Sequence, residues 1–223
     1  MTRDKGYMNI STFIRTLNFC QEFGIEKVIL HHLGEPLLHQ KIVNCIVIAK
    51  IMGFEVGFTT NGTLLTHDNL IELKQAGLDK LDISYTNNSK DKRTLKNLYH
   101  ISNDLGIGTW LRTTVFSKKE YEELKSELNG YNVRFQRGIY LDKTNKRYKP
   151  CKVHENIFVI FWDGTIVPCP FIYDHNQYTY GKIGEIVVDE LKKEIDSKHI
   201  NDYCNHCFEI KQIYNKNKII ITN

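Results

Sequence analysis

A chain of 223 residues, with 41% apolar and 25% charged residues and four prolines, is long enough to bury a sizeable core in one large domain or in one domain with an appendage. Thirty Lys and Arg against 26 Asp and Glu leave +4, a mild excess spread through helices and tail that does not point to nucleic acid. The N-terminus Met1-Thr2-Arg3-Asp4-Lys5 is polar and no apolar run reaches membrane-spanning length. A cytoplasmic protein without a membrane partner is therefore expected, with its six cysteines as thiols or metal ligands rather than disulfides.

Apolar residues at Phe13, Leu17, Cys20 and Phe23 predict a helix over 8–23, stopped by Gly24. A buried strand follows at 26–32. It runs into Leu33-Gly34-Glu35-Pro36-Leu37-Leu38, a lip where the strand breaks at a glycine, presents a carboxylate and starts, with proline, a helix continuing to residue 52. Glu35 then lies near the positive end of that helix, which favours its ionised form. Cys20 and Cys45 fall on inward faces and read as inert buried thiols.

The pattern repeats, with strands predicted at 54–59, 80–84, 107–115 and 133–135 and helices at 68–75, 89–104 and 118–128. Strands spaced by roughly 25 residues with helices between them are the signature of successive βαβ units. The fold class expected is α/β, a partial (β/α) barrel with parallel strands. Polar residues mark the strand ends: Gly34-Glu35, then Thr59-Thr60-Asn61-Gly62, then Ser84, then Gln136-Arg137 after the fifth strand, with Arg112 inside the fourth. Singly, each suits a turn or an ion pair. As a set they outline one pocket on the C-terminal rim, holding a carboxylate, a cation and hydrogen-bonding groups. His31 and His32 share a strand and point to opposite faces, and His39 is placed on a helix with no ligand at i+4; none is expected to bind metal.

After Pro150 the character changes. Residues 157–162 and 165–167 flank Asp163-Gly164, a strong hairpin signal. Cys151 precedes this hairpin, Cys169 ends it, and Cys204-x2-Cys207 comes after a helical pattern near 187–195. The hairpin would bring the first pair together and the short spacing the second, so that four thiolates close on one centre. Spacing alone leaves iron–sulfur and zinc even.

These residues resemble the radical S-adenosylmethionine superfamily, and within it the members with a short SPASM or twitch extension. The resemblance rests on Gly34-Glu35-Pro36-Leu37-Leu38, on Thr60-Asn61-Gly62 one unit later, and on Cys151-x12-Gly164-x4-Cys169 with Cys204-x2-Cys207 beyond it; it spans residues 6–208. It implies a partial barrel over residues 1–148, a cysteine-rich SPASM-like domain with a β-hairpin over 149–210, and a tail over 211–223. It implies that Gly34 and Glu35 meet the methionine amino group of S-adenosylmethionine, that Ser84 and Arg112 hold its carboxylate, and that Pro36, Thr60 and Asn61 belong to the same cofactor-binding set. Cys151, Cys169, Cys204 and Cys207 would ligate an auxiliary 4Fe-4S cluster.

The implied activity is radical modification of a peptide or a small-molecule, sugar-type substrate by an oxidoreductase or maturase, with flavodoxin or ferredoxin as reductant. The family's Cys-x3-Cys-x2-Cys loop does not occur in the sequence, and residues 3–8 resemble the segment just C-terminal to that loop. The chain is therefore expected to begin one strand late, as a truncated sequence, with the catalytic 4Fe-4S cluster belonging to a full-length parent. The alternative is a degenerate, non-catalytic barrel in which the four cysteines hold a structural zinc and the rim acts as a binding module. The tail with Ile219-Ile220-Ile221 reads as a frayed terminus in preference to a basic contact segment or a last docking strand.

Overall fold

The computed structural model describes residues 6–86, 91–137, 157–168, 170, 179–196 and 218–221. In chain order the elements are α1 (Ile10–Phe23), β1 (Lys27–Ile29), α2 (Ile42–Ile51), β2 (Glu55–Thr60), α3 (His67–Gln75), β3 (Lys80–Ser84), α4 (Lys92–Asp104), β4 (Gly108–Val115), α5 (Lys118–Glu127) and β5 (Val133–Arg137). They continue with β6 (Ile157–Ile160), β7 (Thr165–Val167), β8 (Gly181–Lys182), α6 (Val188–Asp196) and β9 (Lys218–Ile221). The expected α/β alternation with parallel strands is thus what the chain forms. It divides into two compact units, one of Glu35–Lys50 and Val56–Leu141, the other of Met1–Gly34, Ile51–Glu55 and Asp142–Asn223.

In the first of these units β2, β3, β4 and β5 pair in that order, all parallel. Side-chain alternation gives the sheet two unlike faces. Val56, Phe58, Leu81, Ile83 and Leu111 are buried on one face, and Leu70, Leu73, Leu95, Leu98 and Leu124 are the buried leucines of α3, α4 and α5. Each such side chain withdrawn from water contributes about 1.5–3 kcal/mol. Capping decides where the helices start. Thr66 and Asn69 form a reciprocal capping box, so α3 begins at His67, one residue before the predicted start. Asp91 accepts from the Thr94 N–H at 2.9 Å and caps α4, and Ser117 caps α5 in the same way. Asp79 Oδ2 accepts from the Val56 N–H and from Lys50 Nζ, both at 2.7 Å, which ties the start of β2 to the turn before β3.

Two expectations in this unit are corrected. The lip does not start a helix that runs unbroken to residue 52: Pro36–Leu38 makes a single 3-10 turn, closed by His39 N–H on the Pro36 carbonyl at 2.9 Å. His39 itself is extended, and its Nδ1 accepts from the Lys41 N–H at 3.1 Å, so the helix restarts at Ile42. Gln136 and Arg137 do not follow the fifth strand but belong to it, because the eight residues of β4 supply Thr114 and Val115 as their partners.

In the second unit β9 lies between β1 and β6, parallel to both, and β6, β7 and β8 continue antiparallel. The tail is therefore not frayed over Lys218–Ile221: Ile219, Ile220 and Ile221 face Phe158, Val159 and Ile160 in register. β1 is shorter than its apolar run because β9 pairs with it only from Lys27 to Ile29, which leaves His31 and His32 beyond the strand end. The predicted hairpin forms, with Gly164 at φ +87° at its turn and Asp163 accepting from Thr165 through both carboxylate oxygens. α1 is capped by the Asn9 side chain, ends at Gly24 with φ +84°, and buries Phe13, Leu17 and Cys20 completely. Gly6 lies against the Trp162 ring so closely that a Cβ there would overlap it.

Candidate functional site

Within the unit of residues 35–50 and 56–141, Glu35 meets Thr60 and Asn61 at the C-terminal end of β2, Ser84 ends β3, and Arg112 lies beside Ser84 in the middle of β4. Glu35 is extended, and its carboxylate takes three donors. Oε1 accepts from the Thr60 hydroxyl at 2.7 Å and the Leu37 N–H at 3.2 Å, and Oε2 accepts from the Asn61 N–H at 2.8 Å. The carboxylate thus caps the 3-10 turn and clasps the end of β2. Pro36 takes the first position of that turn, where its missing N–H costs nothing, and is buried. Gly34 precedes Glu35 with φ +112°, a left-handed backbone that a side chain would strain.

The Thr60-Asn61-Gly62 segment turns tightly on itself. The Thr60 hydroxyl accepts from the Gly62 N–H at 3.0 Å, and Asn61 Oδ1 accepts from the Thr63 N–H and hydroxyl at 2.8 and 2.6 Å. Gly62 sits at φ +76°, and a Cβ there would overlap the Leu95 methyl Cδ2. Gly62→Ala is expected to lower stability by about 2 kcal/mol, from the left-handed backbone and the displaced leucine together, as read by urea unfolding. An alanine variant as stable as the parent chain would remove the turn from this account.

The next two strands present a polar face. Ser84 ends β3 level with Arg112 on β4, which is level with Arg134 on β5; Thr59, Asp82 and Trp110 align one step earlier. The depth of Arg112, open in the sequence, is thereby set at the height of Ser84. Asp82 is only 5% exposed, and its Oδ2 accepts all the donors that reach it: Arg112 Nε at 3.0 Å, Arg112 Nη2 at 2.5 Å and Arg134 Nη1 at 3.1 Å. Asp82 Oδ1 is buried with no partner among the described residues. The Arg134 guanidinium lies 4.6 Å over the Trp110 ring. Sequence reading missed Asp82, Trp110 and Arg134, although the alternation Asp82-x-Ser84 and Trp110-x-Arg112 puts polar or amphipathic groups at every second position of two strands otherwise made for burial.

Beyond Ser84, Tyr85 donates to Glu127 Oε1 at 2.5 Å, and Lys92 and Lys96 reach both that carboxylate and the face of the Tyr85 ring. Burial, then the Glu127 hydrogen bond, push the Tyr85 phenol well above its ordinary range, so this cluster fastens α4 and α5 and offers no proton at neutral pH. Burial pushes the Cys45 thiol up to about 11 and the Cys20 thiol higher still, which keeps both protonated and inert as expected. His32 Nε2 lies 2.5 Å from the Pro170 carbonyl and its ring stacks on Phe161, within the other unit.

Cys151, Cys169, Cys204 and Cys207 lie outside the described residues. Among the described residues, no group of three or more His, Cys, Asp or Glu side chains is arranged to hold a metal ion, and no helix is long and apolar enough to cross a membrane.

No family model matches the chain. Among curated proteins it is 25% identical over 240 aligned positions to a tungsten-containing aldehyde ferredoxin oxidoreductase cofactor-modifying protein of Pyrococcus furiosus, covering 80% of this chain and 67% of that one. Two further relatives match over only 23% and 42% of their own length. Of solved structures, BtrN in complex with AdoMet and 2-DOIA superposes with a TM-score of 0.62 at 18% identity, over 96% of this chain and 86% of that one. Streptococcus suis SuiB bound to precursor peptide SuiA gives 0.66 at 15% identity, over 96% of this chain and 63% of SuiB.

Proposed function

The chain belongs to the radical S-adenosylmethionine superfamily, and on that premise we propose that it binds S-adenosylmethionine along the ends of β2 and β3 and beside Arg112 in β4, as part of an oxidoreductase or maturase acting on a peptide or a small-molecule, sugar-type substrate. The observation that carries this reading is the placement of a clasped acceptor, Glu35, at the end of β2 and of two donors, Ser84 and Arg112, level with each other on the next two strands. The methionine end of the cofactor is an ammonium beside a carboxylate, and this donor set is its complement. Glu35 Oε2 carries one hydrogen bond and retains room for a second donor. Asn61 keeps that oxygen in place through its N–H. Arg112 spends Nε and one Nη2 hydrogen on Asp82 and keeps the rest of its fork for a carboxylate. Pro36 and Gly34 shape the lip.

In this reading residues 149–210 carry an auxiliary 4Fe-4S cluster on Cys151, Cys169, Cys204 and Cys207, four thiolates being a donor set suited to it. A flavodoxin- or ferredoxin-type reductant would deliver the electrons. Beside a catalytic cluster, S-adenosylmethionine would supply hydrogen-abstraction chemistry; Glu35, Ser84 and Arg112 would bind and orient it. That BtrN was solved with AdoMet and 2-DOIA, and SuiB in one structure with S-adenosylmethionine and in another with a precursor peptide, supports the cofactor and a peptide or small-molecule substrate.

The test is metal and cofactor analysis after anaerobic purification. About four iron and four sulfide per chain are expected, lost together in Cys204→Ser. Calorimetry should show S-adenosylmethionine binding that Arg112→Gln weakens by about tenfold. Stoichiometric zinc without sulfide would replace the cluster with a structural metal, and an Arg112→Gln chain that binds as tightly as the parent would remove the rim from the cofactor site.

A further inference from the structure

Arg134 does not belong with the groups assigned to the cofactor. Across the sheet the order runs from β2, where Glu35 is clasped, through β3 with Ser84 and β4 with Arg112, to β5 with Arg134. A cofactor held between the first three leaves the fourth strand facing something else. We propose that Arg134, stacked on Trp110 and held by Asp82, forms a second binding site that takes an oxyanion of the substrate together with a neighbouring hydroxyl. The assignment of that ligand to the substrate rests on the cofactor reading above; the site itself does not.

Two guanidiniums against the one carboxylate they share leave one net positive charge in this cluster. Arg134 donates to Asp82 through Nη1 alone, and its side chain is 36% exposed, so most of its fork remains for a ligand. The ring of Trp110 beneath it fixes the plane of the guanidinium, which favours a bidentate oxyanion over a diffuse counter-ion. A bare ion pair explains this much. It does not explain Asp82 Oδ1, a carboxylate oxygen in a side chain only 7% exposed, to which no described group donates while its twin accepts three hydrogen bonds. Such an oxygen is costly unless something donates to it. A ligand that accepts from Arg134 and also donates to Asp82 meets both needs. Phosphorylated or carboxylated compounds with an adjacent hydroxyl have that chemistry, and simple anions without an O–H lack it.

The site can be read without any turnover. The sequence has two tryptophans, so in a Trp162→Phe background Trp110 is the sole reporter. Its fluorescence would be followed at constant ionic strength against hydrogen phosphate and sulfate, and against glycolate and acetate. Each pair has the same charge type, but only the first member carries a hydroxyl. At least one hydroxylated anion is expected to half-saturate at a concentration about tenfold lower than its partner, since the partner leaves Asp82 Oδ1 unmet. Preference for phosphate over sulfate indicates a phosphoryl substrate, and preference for glycolate over acetate a hydroxycarboxylate.

Arg134→Gln should abolish the response yet leave S-adenosylmethionine binding by calorimetry within about twofold, and Asp82→Asn should bring the ratio within each pair close to one. Equal responses within both pairs, or none at all, overturn the site. So does an Arg134→Gln chain that loses anion and cofactor binding together, because Arg134 would then serve the cofactor. A parent chain that selects the hydroxylated anion but binds no S-adenosylmethionine sinks the cofactor reading and leaves this one standing.

Discussion

Replacing Glu35 by alanine is expected to lower the unfolding free energy of the chain by about 3 kcal/mol. The carboxylate receives the Thr60 hydroxyl and the N–H groups of Asn61 and Leu37, and hydrogen bonds to a charged group are worth about 1.5–3 kcal/mol each. The three do not add, because Asn61 is exposed and water can take up its freed N–H. Thr60 has no such recourse. It is 1% exposed, and the hydroxyl proton now given to Glu35 would be left without an acceptor.

Glu35→Gln separates charge from shape. A carboxamide offers one acceptor oxygen and one nitrogen, so it keeps either the Thr60 or the Asn61 bond and sets its own N–H against the other. It should cost about 1–2 kcal/mol, between the parent chain and alanine. Urea unfolding measures both, and amide exchange at Asn61 and Leu37 reports the local loosening. An alanine variant within about 0.5 kcal/mol of the parent would mean that the carboxylate does not clasp the strand end, and the lip would lose its physical basis.

The second large effect concerns Asp82. Removing one partner of a buried ion pair typically costs about 3–5 kcal/mol, since the other charge is left uncompensated. Here the guanidiniums of Arg112 and Arg134 are 31% and 36% exposed and partly hydrated, so Asp82→Ala is expected to cost about 2–3 kcal/mol. Asp82→Asn keeps the side-chain volume and one oxygen for the two arginines, and about 1–2 kcal/mol is expected.

A double-mutant cycle decides whether the loss belongs to these pairs. Asp82→Ala combined with Arg112→Gln should recover about 1 kcal/mol or more relative to the sum of the single losses, because the second change removes the charge that the first left unpaired. Additivity within about 0.3 kcal/mol would show that Asp82 contributes by packing alone. The two residues also bear differently on the rim. Glu35 is satisfied on both oxygens, whereas Asp82 is satisfied on one.

Much of this architecture was legible in order and spacing. β3 was read correctly to the residue, α1 and α3 to within two residues, and the Asp163-Gly164 hairpin formed where the turn pair predicted it. The inert character of Cys20 and Cys45 followed from their places in helical stripes. Helix starts were less accurate, since they are decided by which side chain turns back to bond the free N–H groups, as Thr66 and Asn69 do together. The break after Leu38 went unread for a related reason: His39 lends its ring nitrogen to the Lys41 N–H, a bond that composition does not announce.

The amino-acid sequence by itself determined the alternation of strands and helices, the glycine and proline punctuation of the lip, and the candidate residues at the strand ends. These are properties of neighbours along the chain, carried by periods of two and 3.6 residues. Only the tertiary structure decided that Arg112 stands level with Ser84, that Asp82 is shared by arginines from two later strands, and that Lys218–Ile221 pairs as a strand rather than fraying. Each of these depends on register between segments far apart in sequence. A shift of one residue would send every side chain of a strand to the opposite face, and register is set by the burial of whole faces rather than by any local run.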